Sequence, residues 1–113
     1  RFSPPRVFEA DELLPFDGSD PEKPIYIAIK GIVFDLSGNR KSYAPGGSYH
    51  VFAGKDPSMA LGKSSLKPEE CVADFSSLDA EQMKVLDQWL AFFTKRYPRV
   101  GVIKGSYAAL HNL

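Results

Sequence analysis

Residues 42–56, "SYAPGGSYHVFAGKD", place two tyrosines six residues apart, one on each side of a Pro-Gly-Gly sequence. Tyr43 precedes this sequence and Tyr49 follows it. Proline pre-sets the backbone for the first central position of a turn, and glycine accepts backbone conformations that other residues avoid. The stretch therefore predicts a tight turn that presents two phenols.

The length and the charge of the chain limit the fold and the partners that this domain can have. Its 113 residues suffice for one hydrophobic core without disulfides. Fourteen basic residues balance fourteen acidic ones, so the excess positive charge typical of nucleic-acid binding is missing, and we expect no nucleic-acid partner. The single cysteine, Cys71, lacks the neighbours of a zinc site and is interpreted as a packing residue.

No apolar run reaches the ~18 to 20 residues that a membrane span requires, and no signal-peptide pattern opens the chain. We therefore expect a soluble domain. Any membrane attachment is expected to come through a segment outside this chain.

The first half of the chain predicts an extended arm, a hairpin and a loop. Two adjacent prolines favour an extended arm over residues 1–8, and residues 9–20 favour one or two short helical turns that stop at Pro15 and Gly18. Ile25 to Leu36 is rich in β-branched and aromatic residues around Lys30-Gly31, which predicts a β-hairpin. Gly and Pro residues between Ser37 and Ser48 predict a loop.

The second half predicts helices and a last strand. Residues 48–65 favour two short helices separated at Gly54, the second with Asp56 as its N-cap, and another short helix is expected near Lys67. Apolar residues at helical spacing after the capping residue Asp79 predict a long helix over 80–96. A strand over 100–103 and a tail without predicted structure complete a small α+β domain whose short helices frame a pocket.

Catalytic residues are scarce. A Ser/His/Asp or Cys/His set needs a histidine with suitable neighbours, and only His50 and His111 occur. His111 lies in the tail, and His50 is interpreted as a residue at the edge of the pocket. The glycines also lack the spacing of a phosphate-binding loop. We therefore expect no enzymatic activity.

The five tyrosines are the remaining candidates for chemistry. Tyr26 belongs to the hairpin and is expected in the core, and Tyr107 lies in the tail. Tyr43 and Tyr49 flank the turn, and Tyr97 follows a helical turn with two basic residues. A phenolate can ligate ferric iron, whereas a neutral tyrosine often forms the wall of a pocket with its hydroxyl in water. The residues alone leave both interpretations open.

Three segments, "IYIAIKGIVFDLSG", "RKSYAPGGSYHVFAGKDPSMALGKSS" and "LDQWLAFFTKRYPRVGVI", resemble the membrane-associated progesterone receptor family, a branch of the cytochrome b5-like haem/steroid-binding fold. The resemblance runs from about Phe8 to Ile103. It implies a cytochrome b5-like domain over residues 8–103, preceded by the arm 1–8 and followed by the tail 104–113. In such a domain, a small mixed sheet and short helices form a haem crevice, with a longer helix near the C-terminus.

The motif also shows which member of this fold the chain resembles. Cytochromes b5 place one axial histidine before Pro-Gly-Gly and another after a later glycine. Here the first position is Ala44, and the second is Lys63 after Gly62. On this alignment, an electron carrier with two imidazole ligands is excluded.

The resemblance implies a different set of haem contacts. By this resemblance, Tyr49 is expected to be the single axial ligand of a ferric haem b, supported by a hydrogen bond from Tyr43. Arg96 and Tyr97 are expected to reach the haem or its propionates. The family usually has Lys where this chain has Arg96, and it more often has Phe, Gly and Pro at positions 42, 44 and 48. A hard phenolate ligand favours ferric iron and leaves one axial face open.

These features lead to three hypotheses about function. The first is a haem-binding domain associated with the endoplasmic reticulum membrane, which presents haem to, or stabilises, partner haem enzymes such as sterol-pathway monooxygenases; the resemblance also implies a haem-mediated homodimer. The second is a steroid- or lipid-binding module that uses the same crevice without haem. The third is a secreted signalling protein similar to neudesin.

Overall fold

The computed structural model describes residues 6–113, which form a four-stranded mixed sheet with short helices packed against it. The strands are β1 (Arg6–Phe8), β2 (Tyr26–Ile29), β3 (Ile32–Asp35) and β4 (Arg99–Ile103). Their order is β1-β4-β3-β2, with β1 parallel to β4 and the other neighbours antiparallel. The α+β architecture predicted from the sequence is confirmed.

Within residues 6–113, four α-helices accompany the sheet: α1 (Arg40–Tyr43), α2 (Ser58–Lys63), α3 (Ala80–Arg96) and α4 (Tyr107–Leu110). Single turns of 3-10 helix lie at Ser37–Asn39, His50–Phe52 and Pro68–Glu70, and a longer one spans Ala10–Phe16. Within residues 6–113, no helix is both long and apolar enough to cross a membrane.

The hairpin and the long helix form as the sequence predicts. Ile29 pairs with Ile32 across a two-residue turn, in which Lys30 and Gly31 have φ of +52° and +86°. Positive φ at both turn residues is typical of hairpin turns whose twist matches that of the flanking strands. At the start of α3, the Asp79 carboxylate accepts a 2.8 Å hydrogen bond from the Gln82 N–H, and the Gln82 side chain accepts one from the Asp79 N–H at 3.0 Å. This capping box satisfies two N–H groups that the helix itself cannot pair.

The sheet is buried on both faces. One face packs under α1, α2 and α3, and its most buried side chains include Ile27, Ile29, Phe34, Leu61, Leu86 and Phe93. The other face packs against the first 3-10 helix through Phe8, Leu13 and Tyr26. Because β2 and β3 carry apolar residues on both sides, they read as continuous apolar runs in the sequence.

Three segments differ from the sequence prediction. Residues 37–43, expected to be loop, are helical, because short Ser, Gly and Asn side chains also fit a 3-10 turn that leads into α1. Pro15 lies inside its 3-10 helix rather than ending it. In the tail, α4 is ordered by the Ser106 hydroxyl, which accepts a hydrogen bond from the Ala109 N–H. Of the predicted arm, residues 6–8 form β1, and residues 1–5 lie outside the described part.

Lys30 ties the hairpin turn to distant parts of the chain. Its carbonyl accepts a 3.0 Å hydrogen bond from Ala108 of α4, and its ammonium group lies 2.6 Å from the Asp87 carboxylate of α3. The same ammonium lies 5.4 Å and 5.3 Å from the ring centroids of Phe75 and Tyr107, within range of cation–π attraction. The turn therefore joins α3, α4 and the segment before α3.

Asp56 holds the same turn from the other side. Its carboxylate accepts hydrogen bonds from Gly31 N–H at 2.9 Å and from Ser58 N–H at 3.0 Å. The helix begins at Ser58 with Pro57 as its N-cap, so the predicted cap at Asp56 is one residue too early. Burial raises the pKa of Asp56 to about 7, and the hydrogen bonds from Ser58 and Gly31 only partly offset this effect.

This raised pKa predicts a pH dependence of stability. An unfolded Asp has a pKa near 3.9, so between about pH 4 and about pH 7 the folded state holds a proton that the unfolded state has lost. Asp56 therefore contributes stability that is fully present below about pH 4 and is lost as the pH rises through about 7. In thermal unfolding, we expect the midpoint of the wild type to fall more between about pH 5 and about pH 8 than that of Asp56→Asn. Parallel pH profiles for the two proteins would contradict this assignment.

Candidate functional site

A tight turn separates the two tyrosines quoted at the outset. Pro45 occupies its first central position and Gly46, with φ of +92°, the second, and the Gly47 N–H donates a 2.9 Å hydrogen bond to the Ala44 carbonyl. These are the features of a type II turn, whose second central position strongly favours glycine. The four residues Ala-Pro-Gly-Gly are thus sufficient to specify this turn.

The chain after the turn lies directly on the end of α1. The Tyr49 N–H donates a 2.8 Å hydrogen bond to the Ser42 carbonyl, and a Cβ atom at Gly47 would stand 2.3 Å from that same oxygen. Gly47 is needed for this close approach. The two tyrosine rings consequently come together, with centroids 5.9 Å apart.

His50 fastens the same segment. Its Nδ1 atom lies 2.9 Å from the Tyr43 carbonyl oxygen, and because a carbonyl only accepts, Nδ1 carries the proton and donates. This bond joins the residue after Tyr49 to the backbone of Tyr43. His50 is partly buried.

The two phenols differ sharply in exposure. Tyr43 is 3% exposed, whereas Tyr49 is 38% exposed. Burial, together with the neighbouring phenols of Tyr97 and Tyr49, raises the pKa of Tyr43 well above its ordinary value. Tyr43 therefore remains a neutral hydrogen-bond donor at neutral pH, and Tyr49 is the phenol that an incoming ligand can reach.

Tyr97 lies behind Tyr43. Its ring packs edge-on against Phe93 with a centroid separation of 4.9 Å, and its hydroxyl accepts a 3.1 Å hydrogen bond from the Asn39 side chain. Three phenols, Tyr49, Tyr43 and Tyr97, therefore lie in succession beside α3, with the most buried one, Tyr43, in the middle.

A crevice of about 240 Å³ opens at Tyr49. The end of α2 and the residues after it form one side, and α3 forms the other; the lining residues are Tyr49, Phe52, Ala60, Leu61, Ser64, Ser65, Leu66 and Trp89. Most of these side chains are apolar. The crevice is thus an apolar slot with one phenol and a few serine hydroxyls.

Trp89 stands across the crevice from the turn. Its ring is nearly perpendicular to that of Tyr49, at 88° with centroids 6.1 Å apart, and it also meets Phe52 edge-on at 6.4 Å. Tyr49 and Phe52 themselves stack at 5.8 Å. Edge-to-face contacts of this kind are favourable beyond simple burial and fix the shape of the walls.

The other predicted site residues lie outside this crevice. Arg96 is exposed, with its guanidinium 6.0 Å from the Phe92 ring centroid, and lines a separate groove of about 360 Å³ with Tyr97 and Asn39. Lys63, at the position of the second cytochrome b5 histidine, forms a 3.0 Å ion pair with Glu70. Of the four predicted residues, the fold brings Tyr43, Tyr49 and Tyr97 together and leaves Arg96 on the other side of Tyr97.

Across residues 6–113, no group of three or more His, Cys, Asp or Glu side chains is placed to hold a metal ion. Among the residues that line the crevice, Tyr49 carries the one phenol, and most of the side chains around it are apolar.

Comparison with known families identifies the family of this domain. Residues 9–104 match the model of the "Cytochrome b5-like Heme/Steroid binding domain". The chain belongs to this family. Relatives named membrane steroid-binding proteins and neuferricins place it in the membrane-associated progesterone receptor branch, as the sequence resemblance implied.

Two curated relatives illustrate the relationship. Membrane steroid-binding protein 2 of Oryza sativa subsp. japonica is 48% identical over 95 residues, which are 84% of this chain and 36% of the rice protein. The Caenorhabditis elegans neuferricin homolog is 37% identical over 101 residues, which are 89% of this chain and 31% of that protein. The chain thus spans about a third of the length of these relatives.

A solved structure confirms the fold of this family member. An Arabidopsis thaliana protein described as having a cytochrome b5 like fold superposes with a TM-score of 0.82 at 39% identity, covering 91% of this chain and 94% of that one. The predicted cytochrome b5-like fold is confirmed.

Sequence reasoning missed the walls of the crevice. Phe52, Leu61 and Trp89 were assigned only to helices, because an apolar residue that lines a crevice has the same pattern as one that fills a core. The spacing of Trp89 relative to Phe93 is a sequence signal for its position in the crevice. Trp89 lies four residues before the buried Phe93, so it belongs to the same side of α3 that faces the tyrosines.

Proposed function

We propose that this domain binds ferric haem b through Tyr49 as its single axial ligand and presents the haem to partner haem enzymes, such as sterol-pathway monooxygenases. The observation that carries the proposal is the pair of phenols on the turn: one accessible in an apolar crevice, the other buried directly behind it. Membership of a haem/steroid-binding family supports it.

The two phenols suit different roles toward an iron ligand. Tyr49 is accessible and can give up its proton on binding a ferric ion, whose charge stabilises the phenolate. Tyr43, with its raised pKa, keeps its proton and can donate a hydrogen bond to that phenolate. In this proposal Tyr97 and the exposed Arg96 provide further polar contacts, Arg96 toward a propionate.

The crevice also fits a ligand that is only partly enclosed. Its volume of about 240 Å³ is smaller than the ~300 to 1,000 Å³ of typical ligand pockets, so a porphyrin is expected to keep part of its surface outside. Tyr49 would hold such a haem, which would supply a ferric centre for exchange with a partner. Such exposure is consistent with handing haem to another protein or with a haem-mediated homodimer.

A hemin titration of the purified chain tests the first part of this proposal. We expect one equivalent to bind and to produce the high-spin ferric spectrum of a tyrosinate complex, by absorption and by electron paramagnetic resonance. Transfer of that haem to an apo-monooxygenase, faster than from free hemin, tests the second part. Spectra indistinguishable from free hemin would contradict haem binding, and unchanged transfer rates would contradict the presenting role.

A second candidate is a steroid- or lipid-binding module that uses the crevice without haem. The apolar walls and the Tyr49 hydroxyl suit a ring system with a single polar group, and the names of the plant relatives refer to steroid binding. Competition decides between the two. If a neutral steroid displaces bound hemin, both ligands occupy the same crevice. If the chain takes up no hemin but binds the steroid, the steroid is the ligand.

The location of the domain follows from the same proposal. A domain that serves sterol-pathway monooxygenases belongs at the endoplasmic reticulum membrane. A secreted role similar to that of neudesin is the alternative. Localising the full-length protein distinguishes them: retention at that membrane favours haem presentation, and export favours signalling.

A further inference from the structure

The outer side of α3 carries an apolar patch next to the crevice. Phe92 is 49% exposed although it lies in the middle of an amphipathic helix, and it forms a hollow of about 300 Å³ together with Gln88 and Trp89. Trp89 also lines the crevice at Tyr49. The patch of Trp89 and Phe92 therefore continues into one wall of the crevice.

Basic residues surround this patch. Lys95 and Arg96 follow Phe92 by three and four positions, so they lie on the same side of α3. Asn39 donates its hydrogen bond to Tyr97 and so brings the start of α1, with Arg40 and Lys41, to this end of α3. Among residues 6–113, none of these four cations forms an ion pair with a carboxylate, and the Arg40 guanidinium donates a hydrogen bond to the Lys23 carbonyl.

The whole chain has a formal net charge of zero, and four cations without carboxylate partners within residues 6–113 lie at this end of α3. Elsewhere in the described part, Arg6, Lys30, Lys63, Lys84 and Lys104 form ion pairs, whereas Lys23, Lys55, Lys67 and Arg99 do not. A surface of this kind attracts an extended negative charge rather than a single carboxylate.

We propose that this face, Trp89 and Phe92 with Arg40, Lys41, Lys95 and Arg96, docks the domain on an anionic membrane surface. Aromatic rings bury well at the boundary between headgroups and acyl chains, and the long stems of Lys and Arg let their charges follow mobile lipid phosphates. The apolar crevice then opens beside the bilayer, from which an apolar ring ligand enters without crossing water. The docking itself needs no bound ligand.

Vesicle sedimentation with the purified, hemin-free chain tests this proposal. We expect binding to phosphatidylcholine vesicles that contain phosphatidylserine, little binding to pure phosphatidylcholine, and a loss of binding as salt rises. Phe92→Ser is expected to lower the partition coefficient about tenfold, because it removes the inserting ring. Lys95→Glu is expected to lower the partition coefficient about fivefold for each unit of positive charge that the substitution removes from this face.

Two variants elsewhere on the surface serve as matched controls. Leu14→Ser removes an apolar side chain that is 60% exposed on the first 3-10 helix, and Lys104→Glu reverses a charge at the far end of β4. Both should bind vesicles nearly as well as the wild type. Circular dichroism verifies that all four variants are folded.

Several results would overturn the proposal. Equal binding to neutral and anionic vesicles, or equal losses in the control variants, would remove the role of this face. Binding to polyglutamate without binding to vesicles would indicate an acidic protein as the partner. A dimer in sedimentation velocity that Phe92→Ser dissociates would indicate a second copy of the chain. None of these results bears on hemin binding, so the proposed function is tested separately.

Discussion

Tyr49→Phe is expected to weaken hemin binding by about 10- to 100-fold and to abolish the tyrosinate spectrum. The substitution keeps the ring that stacks on Phe52 and removes only the oxygen that can meet the iron. A bond to a charged group typically contributes about 1.5 to 3 kcal/mol, which corresponds to that range of affinity. Hemin titration followed by absorption, with electron paramagnetic resonance of the complexes, measures both effects.

Tyr43→Phe is the matched control for this experiment. It removes the buried phenol behind the ligand, so we expect the tyrosinate spectrum to persist with an affinity lowered by about tenfold at most. If Tyr43→Phe loses the spectrum and Tyr49→Phe retains it, the two roles are reversed. If the spectrum instead depends on His50, the iron ligand is the imidazole.

Phe93→Ala is expected to destabilise the domain by about 3 to 5 kcal/mol. The Phe93 ring is 1% exposed and contacts the rings of Phe34, Tyr43, Trp89 and Tyr97, so its removal leaves a cavity between the sheet and the crevice. Urea unfolding of the hemin-free chain measures the change in the free energy of unfolding.

The neighbouring phenylalanine provides the control for this prediction. Phe92→Ala changes the same residue type one position along α3, where the ring is half exposed, and its cost should stay below about 1 kcal/mol. Similar losses for the two variants would mean that the core does not extend to Phe93 as described.

The sequence predicted those parts of the fold whose signals are local. The hairpin turn at Lys30-Gly31, the capping box of α3 and the Pro-Gly turn before Tyr49 each depend on a few adjacent residues. The cytochrome b5-like fold itself came from resemblance, because composition and periodicity alone reached only a small α+β domain.

The features that could not be predicted depend on distant contacts. Lys30 looks like an ordinary turn residue, and only the fold places its ammonium group between Asp87, Phe75 and Tyr107. Residues 37–43 look like a loop, whereas in the folded chain they are helical and the Asn39 side chain donates a hydrogen bond to the distant Tyr97 hydroxyl. Trp89 has the pattern of a core residue, and only its position opposite Tyr49 makes it a wall of the crevice.

The position of Trp89 has an optical consequence. It is the only tryptophan in the chain, and it stands edge-on to Tyr49 at the mouth of the crevice. The intrinsic fluorescence of the protein at long excitation wavelengths therefore comes from a single indole at the candidate site. A porphyrin in the crevice would quench it by energy transfer, and a colourless steroid would shift its emission, so this one ring distinguishes the two ligands without any added label.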